Sequence, residues 1–294
     1  MSGAVVRAER LSKRFGGAAV LDRIDLACDP GEVTLLMGPN GDGKSVLLAC
    51  LAGGLSPTDG RALVGGRRAE VAGERVSLLL QGSVGLPGLT ARENARFYAA
   101  LHPASAGRWP ALLDRFDVAE RDRALRHCSG GTRRKVELAV ALDPDVPAYL
   151  LDEPTAALDL GAVHELHRVI AERRDAGHTV VLTSHAPLDA ELADRLVFLR
   201  SGRVAADGAP DALLGALPPV VRLRGAVHAA RERVADHLRA GHAYGSGAEL
   251  RGFLRPSRSL RDVRSAVGDL GVTVEADEPT AVDLFEHLAS VEPG

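Results

Sequence analysis

The chain has 294 residues, of which 46% are hydrophobic and 26% are charged, and its formal net charge is -3. This size and composition fit a globular protein with one large and one smaller domain, and they argue against a protein that bulk positive charge holds to nucleic acid. Three cysteines without a CxxC pair argue against a disulfide framework and a zinc site. The apolar stretches fall far short of the roughly 20 residues that span a bilayer, and the N-terminus lacks a signal-peptide core. We therefore expect a soluble chain that serves any membrane process by docking to another chain.

The first part of the sequence alternates short apolar segments with turns. Residues 5–36 predict antiparallel strands that lead into a buried strand at 33–37. A glycine loop follows, and the segment after it predicts a helix that ends at Gly53. Residues 75–81 predict another buried strand, and residues 91–127 carry apolar residues at helical spacing.

The middle of the sequence alternates helix and strand patterns. The predicted elements are a helix at 133–142, a strand at 148–152, a helix at 162–177, a strand at 179–185 and a hairpin at 195–208 that turns at Ser201-Gly202. Buried strands that alternate with helices are typical of an α/β fold, in which helices cover both faces of a parallel-type sheet.

The sequence ALPPV at 216–220 interrupts this pattern. The segments beyond it predict β-α-β-α-β-α in a small α+β domain, and residues 226–241, AVHAARERVADHLRAG, are interpreted as one helix. We therefore expect two domains, at 1–217 and 218–294.

Residues 38–45, GPNGDGKS, fit the pattern G-x-x-x-x-G-K-[ST] between a predicted strand and a predicted helix. The glycines let successive backbone N–H groups turn toward phosphates, and the helix N-terminus adds the positive end of a dipole. Lys44 supplies a positive charge for the β- and γ-phosphates, and the Ser45 hydroxyl can ligate Mg²⁺. The other loop residues assigned to cofactor binding are Gly38, Asn40, Gly41 and Gly43.

The segment AYLLDEP places Asp152 at the C-terminal end of a buried strand, where ligand crevices form in open α/β sheets. A carboxylate at this position can hold Mg²⁺ through water, and Glu153 can orient or deprotonate an attacking water. His164 and His167 lie one helical turn apart but have no third ligand nearby. We interpret them as part of a solvated helix face and not as a metal site.

Six elements, in their order and spacing across about residues 5–215, resemble the ATP-binding cassette (ABC) transporter ATPases. They are the loop at 38–45, SGG at 129–131 as the family signature, LLDEPTAALD at 150–159 as the magnesium-and-base strand with its D-loop, TSH at 183–185 as the switch histidine, Gln81 as the Q-loop glutamine and Phe15 as the aromatic that stacks on adenine. The resemblance implies an ATPase with a P-loop core, a mixed sheet, N-terminal antiparallel strands and a helical lobe that carries the signature, here at 91–142.

The resemblance also implies that two such domains pair head to tail and bind ATP and Mg²⁺ between them. Ser129, Gly130 and Gly131 would face the γ-phosphate of the partner's ATP, because they stand at the start of a helix. His185 would contact the γ-phosphate within its own subunit. The implied metal-binding residues are Ser45, Gln81 and Asp152, the implied catalytic residues are Glu153, His185 and Gln81, and Asp159 is implied to communicate across the dimer.

The sequence departs from the family pattern at four positions. Cys128 replaces the usual leucine of the signature, and Thr132 replaces its glutamine. Val46 stands where a second hydroxyl residue is usual, and Asp42 stands where small residues are usual. These changes leave the backbone cradle intact, so they bear on the turnover rate more than on the ATPase assignment.

Asp42 raises a separate question, because it places an acid inside a loop that binds anions. We expect its side chain to point outward, toward solvent or the facing subunit, while its N–H turns inward. In the dimer it could pair with Arg133 or Arg134 of the partner, or it could simply be solvated, since exposed pairs are worth little.

The expected function is that of the ATPase subunit of an ABC transporter, peripheral on the cytoplasmic face of the membrane. Its expected partners are a membrane permease on a separate chain and a second ATP-binding subunit, with no nucleic acid. The tail VTVEADEPTAVDLFEHLA at 272–289 resembles exporter ATPases that accompany drug, antibiotic or polysaccharide permeases, and a copper-maturation exporter fits nearly as well.

Two other functions remain open. One is a soluble ABC ATPase without a permease that acts on ribosomes or DNA. The single cassette and the negative net charge argue against it. The other is a slowly hydrolysing regulatory cassette, and the presence of Glu153 and His185 argues against that function.

Overall fold

A computed structural model describes residues 5–82, 85–184, 187–245 and 247–290. The chain divides into two compact units, Met1–Asp207 and Gly208–Gly294. This division falls before the expected boundary at 217/218, because the helix at Pro210–Gly215 contacts the last helix of the second unit. No helix among the described residues is long and apolar enough to cross a membrane.

Ten strands and six helices of the first unit carry the labels used below. The strands are β1 (Val6–Phe15), β2 (Ala18–Cys28), β3 (Val33–Met37), β4 (Asp59–Val64), β5 (Arg67–Arg68), β6 (Val76–Leu79), β7 (Ala148–Asp152), β8 (Thr179–Thr183), β9 (Arg195–Arg200) and β10 (Arg203–Gly208). The helices are α1 (Lys44–Leu51), α2 (Ala91–Leu101), α3 (Trp109–Arg115), α4 (Gly130–Ala141), α5 (Leu160–Asp175) and α6 (Pro187–Ala190).

The first unit contains a central sheet with the strand order β10-β9-β3-β8-β7-β6 and an antiparallel sheet with the order β2-β1-β4-β5. The pairs β9–β3, β3–β8, β8–β7 and β7–β6 are parallel, so the carboxyl ends of β3, β7 and β8 meet at one edge. Ser201 and Gly202 both have positive φ in the turn between β9 and β10, as the predicted hairpin requires. The sheet and the N-terminal antiparallel strands are confirmed, whereas β4 and β5 were not predicted.

Helix α1 lies between the two sheets. Leu47, Leu48 and Leu51 are fully buried in one apolar cluster with residues of β1, β2, β3, β7 and β8. Its start is therefore fixed at the carboxyl edge of the central sheet, immediately after the glycine loop. Gly53, which has φ 77°, follows its last turn, as expected of a glycine beyond a helix end.

Residues 91–142 form a helical lobe in which α2, α3 and α4 contact one another. The predicted helical region at 91–127 is divided into α2, α3 and a short 3₁₀ turn at Leu125–His127. Thr90 caps α2 in a capping box with Glu93. Helix α4 begins at Gly130, earlier than the predicted start at 133, because the Ser129 side chain accepts a hydrogen bond from the Thr132 N–H and caps it.

The second unit contains α7 (Pro210–Gly215), β11 (Val220–Arg224), α8 (Val227–Val234), β12 (Leu238–Tyr244), β13 (Glu249–Leu254), α9 (Leu260–Val267), β14 (Thr273–Asp277) and α10 (Ala281–Ser290). Its antiparallel sheet has the order β12-β13-β11-β14. The order β-α-β-β-α-β with these neighbours is that of a ferredoxin-like fold. Helices α8 and α9 pack on the sheet through one buried apolar cluster.

Two strand lengths and one helix of the sequence analysis need correction. The strands predicted at 75–81 and 179–185 end at Leu79 and Thr183. The helix predicted at 226–241 ends at Val234, and β12 follows it. Leu238 is buried in the core of the second unit, so pairing with β13 overrides the local helical pattern.

Replacing a core leucine of the second unit tests the packing of that unit. Leu250 is fully buried in its apolar cluster, so Leu250→Ala is expected to lower the free energy of unfolding of this unit by about 2–5 kcal/mol. Leu160, which is 65% exposed, supplies the control, since Leu160→Ala should change stability by less than about 0.5 kcal/mol. Chemical denaturation of the full chain measures both, and equal effects would contradict the assigned core.

Candidate functional site

The glycine loop between β3 and α1 requires residues without side chains. Gly38 has φ 141°, and a Cβ there would lie 2.2 Å from the Leu199 carbonyl oxygen. Gly43 has φ 96°, and a Cβ there would lie 2.7 Å from a Leu21 methyl group. The loop therefore follows a path that glycine alone adopts without strain, and that path places it over the N-terminus of α1.

Lys44 is the first residue of α1 and is only 7% exposed. Its Nζ donates hydrogen bonds to the carbonyl oxygens of Gly38 at 2.7 Å and Pro39 at 2.9 Å. Burial lowers the pKa of Lys44, while the nearby negative charges of Glu153, Asp42 and Asp152 oppose that change. The ammonium group is thus held inside the curve of the loop, where a phosphate would meet it.

Thr183 joins the two acidic residues that follow β7. Its hydroxyl donates to Asp152 Oδ1 at 2.6 Å and accepts from the Glu153 backbone N–H at 2.9 Å. Asp152 is 2% exposed, and its Oδ2 is buried without a hydrogen-bond partner among the described residues. Glu153 has φ 47°, an uncommon conformation for a residue with a side chain. The end of β8 therefore fixes the carboxylate of Asp152 and the backbone of Glu153.

These elements form one groove of about 420 Å³ at the carboxyl edge of the central sheet. The groove brings together most of the residues predicted to bind phosphate and metal or to act on water. The predicted residues that line it are Asn40, Gly41, Gly43, Lys44, Ser45, Gln81, Asp152 and Glu153. Gly38 contributes the carbonyl that holds Lys44, and Val46, where a hydroxyl is usual, also lines the groove.

The groove suits a magnesium nucleotide. The buried, unpartnered Oδ2 of Asp152 is an anionic oxygen of the kind that Mg²⁺ prefers. The Ser45 hydroxyl and the Gln81 amide line the same groove, and Mg²⁺ commonly takes one carboxylate together with waters and phosphate oxygens. A bound Mg²⁺ would supply positive charge to phosphate oxygens, and these residues would hold it.

Asp42 does not adopt the fully outward direction that the sequence analysis expected. The residue is half-buried, and its Oδ2 is buried without a hydrogen-bond partner among the described residues. Its charge acts on Lys44 inside its own loop. Of the two arginines considered as partners across a dimer, Arg134 is bound within its own chain, as described next, so only Arg133 remains a candidate.

Arg134 was not identified as a site residue from the sequence, although it contacts both strand ends of the groove. Its Nη2 donates to the carbonyl oxygens of Asp152 at 2.6 Å and Glu153 at 2.8 Å. Its Nη1 donates to Glu137 Oε2 at 3.1 Å and lies 3.4 Å from the carbonyl of Leu80, next to Gln81. A 7% exposed guanidinium on the signature helix thus connects that helix to the backbone that carries Glu153.

The signature residues lie apart from the groove. Ser129 caps α4, and Gly130 lines a separate cavity next to the groove's Gln81. A Cβ on Gly131 would lie 2.9 Å from the Ala157 carbonyl oxygen, so this close approach requires glycine. The structure therefore does not bring the signature onto the groove of its own chain.

Asp159 joins α5 to the signature helix. It caps α5 by accepting from the Ala162 N–H, and it pairs with Lys135 Nζ at 2.8 Å. The hydrogen bond from Lys135 lowers the pKa of Asp159. The D-loop and the signature helix are therefore connected within one chain, although Asp159 remains largely exposed.

Phe15 and His185 complete the predicted site residues. Phe15 is the last residue of β1 and is 47% exposed, so its ring is not buried in the core. Lys13 Nζ lies 5.1 Å from the centroid of that ring. It does not line the phosphate groove. The prediction for His185 falls outside the described residues.

A buried carboxylate that the sequence analysis missed, Asp189, lies close to the end of β8. Asp189 is fully buried and accepts hydrogen bonds from Thr155 Oγ1 at 2.7 Å and from Ser184 Oγ, and it lies 2.6 Å from His167 Nε2. His167 is therefore paired, and its interpretation as a solvated histidine was wrong. Nothing in the local pattern of α6 marked Asp189, because its partners come from three other segments of the chain.

Comparison with known proteins identifies relatives of this chain. The sequence profile described as ABC transporter matches residues 21–156. The hemin import ATP-binding protein HmuV of Nocardia farcinica is 41% identical over 69% of this chain and 76% of the relative. The cobalt import ATP-binding protein CbiO of Rhodobacter capsulatus is 39% identical over 74% and 86%. The daunorubicin resistance ATP-binding protein DrrA3 of Streptomyces coeruleorubidus is 35% identical over 72% and 71%.

Solved structures match the same portion. An ATP-binding subunit of an ABC transporter has a TM-score of 0.66 and 27% identity over 71% of this chain and 92% of that chain. A dimeric post-hydrolysis state of an ATP-binding cassette bound to ADP and Pi has a TM-score of 0.65 and 23% identity over 69% and 98%, which shows the shared fold. The mixed α/β P-loop fold is therefore confirmed.

Arg134→Lys tests the connection between the signature helix and Glu153. Lysine keeps the charge but lacks the planar fork that reaches two carbonyl oxygens, so we expect kcat for ATP to fall about tenfold while the ATP dissociation constant changes less than about threefold. Arg92→Lys, which alters an exposed pair with Asp122 in the same lobe, is the control. An unchanged kcat would show that Arg134 does not position Glu153.

Proposed function

The chain belongs to the ABC transporter family as an ATP-binding subunit that hydrolyses ATP, and we propose that it drives export through a separate membrane permease. Subunits of this family work as dimers together with a permease. The observation that carries the catalytic part of the proposal is the groove, which joins Lys44, Ser45 and Asp152 to Glu153. The exporter direction rests on the resemblance of the tail.

The residues of the groove have separate roles in binding ATP and in hydrolysing it. Lys44 and the loop N–H groups would bind the β- and γ-phosphates, and Ser45, Gln81 and Asp152 would hold Mg²⁺. Glu153 stands beyond Asp152, where it orients a water and takes its proton. The conformation of Glu153, held by Thr183 and Arg134, supports this role because a base must be positioned before the water attacks.

The signature acts on the ATP of a second subunit in this proposal. Ser129, Gly130 and Gly131 open α4, so their backbone N–H groups and the positive end of the helix are available to a γ-phosphate. Their separation from the groove of the same chain supports a site completed by a partner. Asp159, paired with Lys135 behind the signature, would link the two sites, Phe15 would stack on adenine, and His185 would contact the γ-phosphate.

The helical lobe offers a surface for the permease. Phe97 is 42% exposed and Leu101 is 64% exposed on α2. Leu101 also lines a cavity of about 260 Å³, whose wall consists mainly of apolar residues of β6, α2 and α4. An apolar surface of this kind commonly marks an interaction site. The cavity is lined by residues of β6, and Gln81 follows the end of that strand in the chain.

The direction of transport is a separate part of the proposal. Relatives named for import and relatives named for export or drug resistance match similar shares of this chain, so the cassette does not separate the two directions. The tail supports export, and it forms β14 and α10 of the second unit. Thr280 and Asp283 cap α10, with Asp283 accepting from the Thr280 N–H at 2.7 Å, which accounts for the Pro-Thr and acid pattern of the tail.

Glu153→Gln tests the catalytic assignment. The amide keeps the size of the side chain but cannot take a proton, so ATP hydrolysis is expected to fall by about 10²–10⁴ while ATP binding is retained. The variant should accumulate as an ATP-bound dimer in size-exclusion chromatography. Turnover within a few-fold of the unmodified chain would contradict the assignment.

Mixed dimers test whether the signature acts in trans. Ser129→Arg should block closure without preventing ATP binding by the monomer, and Lys44→Ala should remove phosphate binding. Neither variant alone should hydrolyse ATP, but a mixture contains one site with both an intact loop and an intact signature. Activity in the mixture is the expected result, and its absence when mixed dimers have formed would contradict the composite site.

Reconstitution with a membrane permease that binds this chain tests direction. The expected result is ATP-dependent movement of substrate away from the leaflet that faces the ATPase, measured in vesicles with the ATPase outside. Export then appears as uptake into the vesicle lumen, and Glu153→Gln is the inactive control. ATP-dependent loss of preloaded substrate from the lumen would show import.

A further inference from the structure

The second unit contains a cavity that the nucleotide groove does not use. Its volume is about 480 Å³, similar to the groove's 420 Å³. It lies between the segment that enters β11 and the ends of β12 and β13. Pro219 O accepts from the Leu254 N–H, and the His237 carbonyl accepts from the Arg255 N–H, both at 3.1 Å, so the backbone around the cavity is fixed.

Three arginines line this cavity, namely Arg239, Arg255 and Arg258. Among the described residues none of them forms an ion pair with a carboxylate. Arg255 donates from Nε to the Leu238 carbonyl at 2.7 Å, which fixes its side chain and leaves its two terminal amino groups available. The cavity therefore carries a cluster of positive charge, in which a backbone hydrogen bond fixes the side chain of Arg255.

Other arginines of this unit contrast with these three. Arg222 and Arg251 both pair with Asp277, Arg224 pairs with Glu249 and Arg233 pairs with Asp269. Carboxylates are thus available to this unit, but they meet arginines elsewhere.

The acid that follows Arg258 most closely in the chain is used locally. Asp262 accepts hydrogen bonds from the N–H and hydroxyl of Ser259 and completes the cap of α9. Those hydrogen bonds lower its pKa first, and the charges of Arg258 and His237 add to the effect. Burial first and the charge of Arg239 second lower the pKa of His287 on α10. Two of the arginines that line the cavity, Arg258 and Arg239, thus act electrostatically on neighbouring groups.

The rest of the cavity wall is apolar. Leu217, Pro218 and Leu254 contribute to it, and the proline fixes its own φ. Guanidinium groups match the oxygens of phosphates through paired hydrogen bonds, while the apolar wall would cover a hydrocarbon part.

We propose that this cavity of the second unit is a binding site for a phosphate ester that carries an apolar group. The phosphate meets Arg239, Arg255 and Arg258, and the apolar group lies against Leu217 and Pro218. The same chemistry occurs in soluble phosphorylated metabolites and in the headgroup region of anionic phospholipids, so the experiment distinguishes these two sources.

The test uses the full chain with Lys44→Ala, which silences the phosphate site of the groove. Isothermal titration with phenyl phosphate and with inorganic phosphate serves as the soluble arm, and phenyl phosphate should bind more tightly because of the apolar wall. Arg258→Ala and Arg239→Ala should each weaken phenyl phosphate about tenfold, the effect expected of one lost charge-assisted contact. Arg261→Ala, an equally charged change at an exposed arginine outside the cavity, should have no effect.

The lipid arm uses vesicles of phosphatidylcholine with and without phosphatidylglycerol, and co-sedimentation measures binding. If phosphatidylglycerol recruits the chain and Arg258→Ala abolishes this while Arg261→Ala does not, the ligand is a phospholipid headgroup. If phenyl phosphate binds and the vesicles do not, the ligand is a soluble phosphate. Absence of binding in both arms, or equal losses in Arg258→Ala and Arg261→Ala, would overturn the proposal.

Discussion

The hydroxyl of Thr183 is the contact on which the arrangement of the catalytic groove depends. It lies at the end of β8, directly beside Asp152 in the register of the parallel pair, and it bonds to the Asp152 carboxylate and to the Glu153 N–H. Because Thr183 is fully buried, no water replaces it readily. The Thr183 side chain thus binds Oδ1 of Asp152, while Oδ2 stays available to a cation. The same hydroxyl bonds to the Glu153 backbone, which has an uncommon conformation.

Arg134 extends this arrangement from the sheet to the helical lobe. The carbonyl groups of Asp152 and Glu153, at and just beyond the carboxyl end of β7, accept from a guanidinium on the signature helix. A movement of α4 would therefore change the contacts of the backbone that carries Glu153. Since buried guanidinium groups are costly to leave unpaired, the lobe and the catalytic strand are expected to move together, which couples the surface of the helical lobe to the groove.

Local sequence patterns predicted the loop, α1, β7 and the order of the central elements, because these depend on glycine geometry and on short apolar periods. They did not predict Arg134, Thr183 or Asp189 as site residues. The groove carbonyl groups that Arg134 binds lie 18 or more residues away in the chain, and Thr183 and Asp189 bind residues of other segments. Residues 238–241 were assigned to a helix because β12 becomes a strand only through pairing with β13. The half-buried position of Asp42 was likewise not visible, because the direction of a side chain depends on the folded loop.

Thr183→Val is the measurement that tests this account most directly. Valine has nearly the same shape but removes the hydroxyl, which leaves Asp152 Oδ1 and the Glu153 N–H without their partner at a cost of about 1–3 kcal/mol. The account predicts that kcat for ATP hydrolysis falls at least about tenfold while the folded chain persists. Thr34→Val, at a buried threonine of β3 that bonds Glu32, should leave kcat unchanged. A Thr183→Val chain that hydrolyses ATP at the unmodified rate would contradict the account.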